Sequence, residues 1–153
     1  MKITHILTGL LGLAFVQGAN AADISVYYSP TCPHCHHARE FISSELIYVY
    51  NDLKVTQIDV TNPDNQQEFM DTLKKCEYES GGVPVLVIGE KCFQGYADSM
   101  QDELRAAVEV DLSDEQKQAA KDNKAAFDGD KDAFVAAHAD RTSAIVERDV
   151  KKN

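Results

Sequence analysis

Three short stretches of the chain are apolar in the manner of strands, and the segments between them carry apolar residues at helical spacing. "DISVYY" (23–28) is rich in β-branched and aromatic residues and runs into Ser29-Pro30, which predicts a strand closed by a turn. From Pro33 the apolar positions Ala38, Phe41, Ile42 and Leu46 make one face of a helix, and a first helical turn tolerates proline. "KVTQIDV" (54–60) predicts a second strand. "TNPDNQQEFMDTLKKC" (61–76) opens on cap and turn residues, then sets Phe69, Met70 and Leu73 on one side of a second helix. "VPVLVI" (83–88) is a continuous apolar run bounded by glycines, the pattern of a strand covered on both faces. "KCFQGY" (91–96) predicts a hairpin partner for that strand, and "ADSMQDELRAAVEV" (97–110) a third helix.

The predicted order, β-α-β-α-β-β-α, implies an α/β domain with a small mixed sheet flanked by helices. Beyond Leu112 the composition shifts to Ala, Lys, Asp and Glu. Ser113 and Gln116 have the spacing of a capping box ahead of a fourth helix. A fifth helix is predicted over roughly 131–150, with Val135, Ala139, Thr142, Val146 and Val150 along a narrow stripe. Between the two, "DGDKD" (128–132) puts Asp128, Asp130 and Asp132 at alternate positions, as a calcium loop does. Its sixth and twelfth positions are Ala133 and Ala139 rather than Gly and Glu, so a helix–helix turn is expected.

The first residues have the build of a secretory signal: Lys2, the apolar "ILTGLLGLAFV" (6–16) and the small-x-small "ANA" (19–21). Cleavage after Ala21 is expected, with no stable membrane insertion afterwards. The predicted division is therefore a signal peptide at 1–21, a domain at 22–111 and a charged helical extension at 112–153. Export to an oxidising compartment follows, in the simplest case the bacterial periplasm. Loss of Lys2 takes the net charge from −10 to −11, which disfavours nucleic acid and anionic membranes as partners. All four cysteines, Cys32, Cys35, Cys76 and Cys92, lie beyond the signal, and four cysteines allow three disulfide pairings.

The chemistry concentrates in "CPHC" (32–35), where the first strand hands over to the first helix. A thiolate is the nucleophile of disulfide exchange, and the partial positive charge of a helix N-terminus stabilises it. Cys32, at the cap, is expected to attack and be attacked; Cys35, one turn further in, is expected to be more buried and to resolve the mixed disulfide. Pro33 and His34 set geometry and polarity, and a charged or hydrogen-bonding His34 favours the Cys32 thiolate. The same letters, read as C-x-x-C-H, also fit covalent haem attachment with His36 and Met100 as axial ligands. A metal-binding chaperone using Cys32, Cys35, His36 and His37 is a third class. Adjacent histidines on a helix point about 100° apart, which favours a solvated first turn over a shared metal. For Cys76 and Cys92 a structural disulfide, a second redox pair and two free thiols all remain open.

"YYSPTCPHC", "IDVTNPD", "GGVPVLVIGEKC" and "FQGYAD" resemble, in that order, the glutaredoxin branch of the thioredoxin superfamily, over about residues 23–110. The resemblance implies a thioredoxin fold and a thiol–disulfide oxidoreductase. It implies a cis peptide bond at Val83-Pro84 beside the dithiol, and a Val83 backbone that takes up substrate as a short added strand. Its glutathione site maps to Val83, Tyr96, Ala97 and Asp98, where a helix N-terminus receives a carboxylate. The "SPT" (29–31) before the first cysteine has no lysine where glutaredoxins usually carry one, and Cys-Pro-His-Cys resembles periplasmic disulfide oxidases. Expected partners are thus protein thiols or disulfides, with glutathione as a further co-substrate and no bound cofactor.

Overall fold

The computed structural model describes residues 21–148, so the signal expected at 1–21 lies, but for Ala21, outside the described residues, as does Val150. Strand β1 (Ile24–Tyr28) occupies the middle of a five-stranded sheet of order β4-β3-β1-β2-β5. It pairs in parallel with β2 (Val55–Asp59) and antiparallel with β3 (Val85–Ile88). Strand β4 (Lys91–Gln94) pairs antiparallel with β3 through the two-residue turn Gly89-Glu90. Gly89 has φ +57° at the first turn position, the conformation that glycine adopts there without steric cost.

Helix α1 (Pro33–Phe41) continues through one π-helical turn (Ile42–Leu46) into α2 (Ile47–Val49), making a single rod with the dithiol at its start. Helices α3 (Gln66–Lys75) and α4 (Gln101–Glu109) complete the predicted unit. The sheet is buried on both sides. Ile24, Val26, Leu86 and Ile88 pack with Phe41, Leu46, Leu104 and Val108 in the larger cluster, while Tyr27, Ile58 and Val85 pack under Phe69 of α3 in the smaller. The unbroken apolar run at 83–88 is explained by this: alternate residues of β3 feed different clusters. Each fully buried aliphatic side chain of this set contributes about 1.5–3 kcal/mol of transfer free energy.

Helix α5 (Asp114–Gly129) starts at a complete capping box in which the Ser113 side chain accepts from the Gln116 amide and the Gln116 side chain accepts from the Ser113 amide. The acidic turn joins two helices: Asp128 pairs with Lys124 at 2.6 Å, and Asp130 caps α6 (Lys131–Ala137) by accepting from the Ala133 amide at 3.1 Å. The predicted helix over 131–150 forms only over Lys131–Ala137 among the described residues. Helix α6 stops at His138, whose ring stacks on Phe134 at 4.1 Å and whose Nδ1 lies 2.8 Å from the Phe134 carbonyl. A 3₁₀ segment (Ala139–Ala144) follows, and then β5 (Ile145–Glu147), parallel to β2 with Thr56 opposite Val146. Its β-branched residues suit a strand, and the otherwise open edge of β2 supplies the hydrogen bonds that a further helical turn would have made internally.

The extension grips the dithiol rod. Phe127, 5% exposed, lies against Tyr48 with ring centroids 6.5 Å apart and meets Phe134 edge-on. Asn123 Nδ2 donates to the Val49 carbonyl at 2.8 Å, and Arg141 donates to the Tyr48 carbonyl, so two orphan carbonyls at the end of the rod are satisfied. Among the described residues no helix is long and apolar enough to cross a membrane. Phe127→Ala is expected to cost about 3–5 kcal/mol of global stability. Urea denaturation followed by far-ultraviolet dichroism checks it; an unchanged main transition with separate melting of the extension would contradict a shared core.

Candidate active site

Strand β1 ends under the sheet surface at Tyr28, and the turn that follows is closed by the Cys32 amide donating to the Ser29 carbonyl at 3.1 Å. Cys32 is then the N-cap of α1, with extended backbone (φ −91°, ψ 115°) and Pro33 in the first turn. Its Sγ takes the place that a serine or aspartate oxygen usually fills, accepting from the Cys35 amide at 3.1 Å. Cys32 is half-buried and Cys35 is 1% exposed; the two are joined as a disulfide with Cα atoms 5.2 Å apart. His34 is exposed beside them. His36 and His37 both turn outward and approach the Glu40 carboxylate at 3.9 Å, on a solvated helix face. Met100 packs against the main core from the segment before α4. Among the described residues no three His, Cys, Asp or Glu side chains gather as a metal-ligand set.

Across from the dithiol stands Val83-Pro84, whose peptide bond is cis. The Val83 carbonyl oxygen lies 3.6 Å from Cys32 Sγ, and the Val83 amide has no partner among the described residues. Three contacts hold this loop from behind. The Gly95 amide donates to the Pro84 carbonyl at 2.8 Å, and Gln94 Nε2 donates to the carbonyls of Ser80 and Gly82 at 2.8 and 3.0 Å. Cys76, at the end of α3, is disulfide-bonded to Cys92 of β4.

Tyr96, Ala97 and Asp98 sit where β4 leads into α4. Tyr96 is buried, with its ring 6.1 Å from Phe41 and its hydroxyl accepting from Gln101 Nε2 at 2.9 Å. Ala97 caps the short 3₁₀ turn Asp98–Met100, and Asp98 is exposed. Between this turn and α1 runs an open cleft of about 250 Å³, whose acidic lining is Glu40, Glu45 and Asp98, with His37 beside them. Arg105 bridges Glu45 and Asp102 at 2.5 and 2.8 Å, so the cation nearest that lining is already paired.

A cluster that sequence reasoning did not find lies on the outer side of α1. Arg39 stacks over the Tyr28 ring at 4.0 Å, donates to the buried Gln57 side chain, and bonds Glu147 of β5 at 2.9 Å. Tyr28 donates to the same Glu147 carboxylate at 3.0 Å. No local signal pointed to it, because Glu147 lies in a segment whose pattern predicted helix.

A disulfide pair at a strand-to-helix junction, faced by a Val-Pro loop beside a small mixed sheet, accords with a thiol–disulfide oxidoreductase of the thioredoxin fold. Residues 24–93 match the family model described as Glutaredoxin, somewhat less than half of the chain, and this part of the protein is glutaredoxin-like. Among solved structures, the glutaredoxin of Archaeoglobus fulgidus is 25% identical over 55% of this chain and 86% of its own, with a TM-score of 0.44. A search of curated proteins gives no significant match.

Burial raises the hydroxyl pKa values of Tyr28, Tyr50, Tyr78 and Tyr96; bonds to the carboxylates Glu147 and Glu109 push Tyr28 and Tyr50 further in the same direction. The folded chain therefore keeps protons that the unfolded chain releases from about pH 10 upward. Stability contributed this way is complete below about pH 10 and falls as pH rises beyond it, because the unfolded state then binds fewer protons. Phenolate absorbance should show these four tyrosines ionising above the ordinary tyrosine range, and urea midpoints should fall as pH rises beyond about 10.

Proposed function

We propose that the protein is an exported thiol–disulfide oxidoreductase that exchanges disulfides with protein substrates through Cys32 and Cys35. The observation that carries this is the position of Cys32 Sγ, bonded by the Cys35 amide at the start of α1 and lying 3.6 Å from the Val83 carbonyl. In the oxidising direction a substrate thiolate attacks Cys32 Sγ, the Cys32–Cys35 bond breaks, and Cys35 departs as a thiolate that takes up a proton. A second substrate thiolate then attacks the substrate sulfur of the mixed disulfide and releases Cys32. Two substrate thiols become a disulfide, and the Cys32–Cys35 pair gains the two electrons. In the reducing direction Cys32 attacks a substrate disulfide and Cys35 resolves the intermediate.

The departing or attacking Cys32 thiolate is stabilised by the Cys35 amide and by the helix N-terminus, and a protonated His34 adds to both. Buried Cys35 is shielded from solvent and bonded to the sulfur beside it, which suits a resolving role. The free Val83 amide and its neighbouring carbonyl offer a substrate backbone one donor and one acceptor, the elements of strand addition. Glutathione is the second co-substrate, received at Val83, Tyr96, Ala97 and Asp98. The carboxylates of Glu40, Glu45 and Asp98 along the adjoining cleft repel its two carboxylates, which ranks protein substrates first. Export to the periplasm is supported by the N-terminal "ILTGLLGLAFV" and "ANA" segments and by a bridged Cys76–Cys92, a pairing that persists in oxidising compartments.

The test is exchange kinetics with a disulfide peptide. Cys32→Ser is expected to abolish turnover, and Cys35→Ser to accumulate the mixed disulfide at Cys32. Thiolate absorbance should place the Cys32 pKa well below the free-thiol value of about 8.5. Full activity in Cys32→Ser would refute the assignment. The potential of the pair sets direction: about −120 mV makes the protein a donor of disulfides, and about −200 to −230 mV a reductant needing an electron supply.

A further inference from the structure

We infer that the Cys76–Cys92 disulfide is a positioning clamp for polypeptide substrates: it holds the segment carrying Val83 in the conformation that receives a substrate strand. This rests on the dithiol assignment above. The bridge joins residues 16 apart in sequence, linking the C-terminal end of α3 to the strand that pairs with β3. The intervening loop contains adjacent exposed glycines, Gly81 and Gly82, and then Val83. Glycines give such a loop many alternative backbone states. Apart from the bridge, Tyr78 and Val83 pack on the core and the Gly95 amide holds the Pro84 carbonyl at 2.8 Å, while the stretch between Tyr78 and Val83 is held by few contacts. The amides of Glu77 and Tyr78 turn back on α3, Gln94 ties down Ser80 and Gly82, and the Lys75–Glu90 pair at 3.6 Å is solvent-exposed. An exposed ion pair of that kind adds little.

The features that stabilise the Cys32 thiolate are elsewhere, on the Cys35 amide, the first turn of α1 and His34. Opening the bridge therefore leaves the exchange chemistry alone and lets the Val83 segment leave its binding conformation. Affinity for a substrate backbone then falls in proportion to the fraction of molecules still in that conformation. A small dithiol has no backbone to lay against Val83 and is indifferent to the change.

The experiment measures single-turnover reduction of the oxidised protein by two probes, a reduced dithiol peptide and dithiothreitol, in wild type and in the Cys76→Ser/Cys92→Ser double variant. If opening the bridge leaves about a tenth of molecules competent, the half-saturating peptide concentration rises about tenfold, with the maximal rate and the dithiothreitol rate unchanged. The Cys32–Cys35 potential stays the same. Equal half-saturation in the two proteins overturns the clamp, and so does an equal loss with both probes, which would mean general damage to the site. A wild-type protein inert to both probes would instead refute the dithiol assignment beneath it. A Cys76→Ala/Cys92→Val double variant, which keeps the site apolar without a bridge, serves if the serine variant does not fold and is read against the same outcomes.

Discussion

A sulfur atom at the first turn of a helix can accept from an amide that the helix itself leaves without a partner, and here the Cys35 N–H does so to Cys32 Sγ at 3.1 Å. The remaining architecture serves that junction. Strand β1 is central, so the point at which it gives way to α1 is fixed by neighbours on both sides. Ala38, Phe41, Ile42 and Leu46 bury the following helix against the sheet, which leaves its first turn projecting with Cys32 half-exposed and Cys35 covered. A helix free to roll or slide would lose the difference in exposure between the two cysteines.

The C-terminal extension acts on the same helix from its other end. Arg141 and Asn123 satisfy its last carbonyls, Phe127 packs on Tyr48, and Glu147 reaches Arg39 in its middle. The partial negative charge at the carbonyl end is thereby met by a cation and an amide, in keeping with the dipole whose positive end faces the dithiol. Strand β5 also covers the edge of β2 at Val55–Gln57.

Most of this was legible in the sequence where one signal dominated. The strands at 24–28, 55–59 and 85–88 coincide with β-branched or unbroken apolar runs, and the capping box at Ser113 and Gln116 was readable from spacing alone. The end of the chain was not. Ala-rich, charged residues around Ala139 and Thr142 satisfy helical periodicity, and only the open edge of β2, set by long-range pairing, makes a strand of Ile145–Glu147 the better use of the backbone. The same distance hid the Arg39–Tyr28–Glu147 cluster, whose members lie in three elements. The placement of Cys32 and Cys35 was readable because cap geometry is local. The Cys76–Cys92 bridge was readable only as one alternative, since three pairings fit the sequence and the α3–β4 geometry selects this one.

Helix polarity separates the two disulfides. Cys32 lies at the amide end of α1, where a departing thiolate is met by N–H groups; Cys76 is the C-cap of α3, where a departing thiolate would face carbonyl oxygens. Lys74 and Lys75 in the last turn of α3 offset part of that, but both are exposed and screened by solvent. A thiolate that leaves easily makes a disulfide quick to exchange, and one that leaves poorly makes it slow. By this polarity the Cys32–Cys35 bond is the easier of the two to open from its helical end. That follows without any difference in compartment or partner, only from one pair beginning a helix while the other joins the end of a helix to a strand.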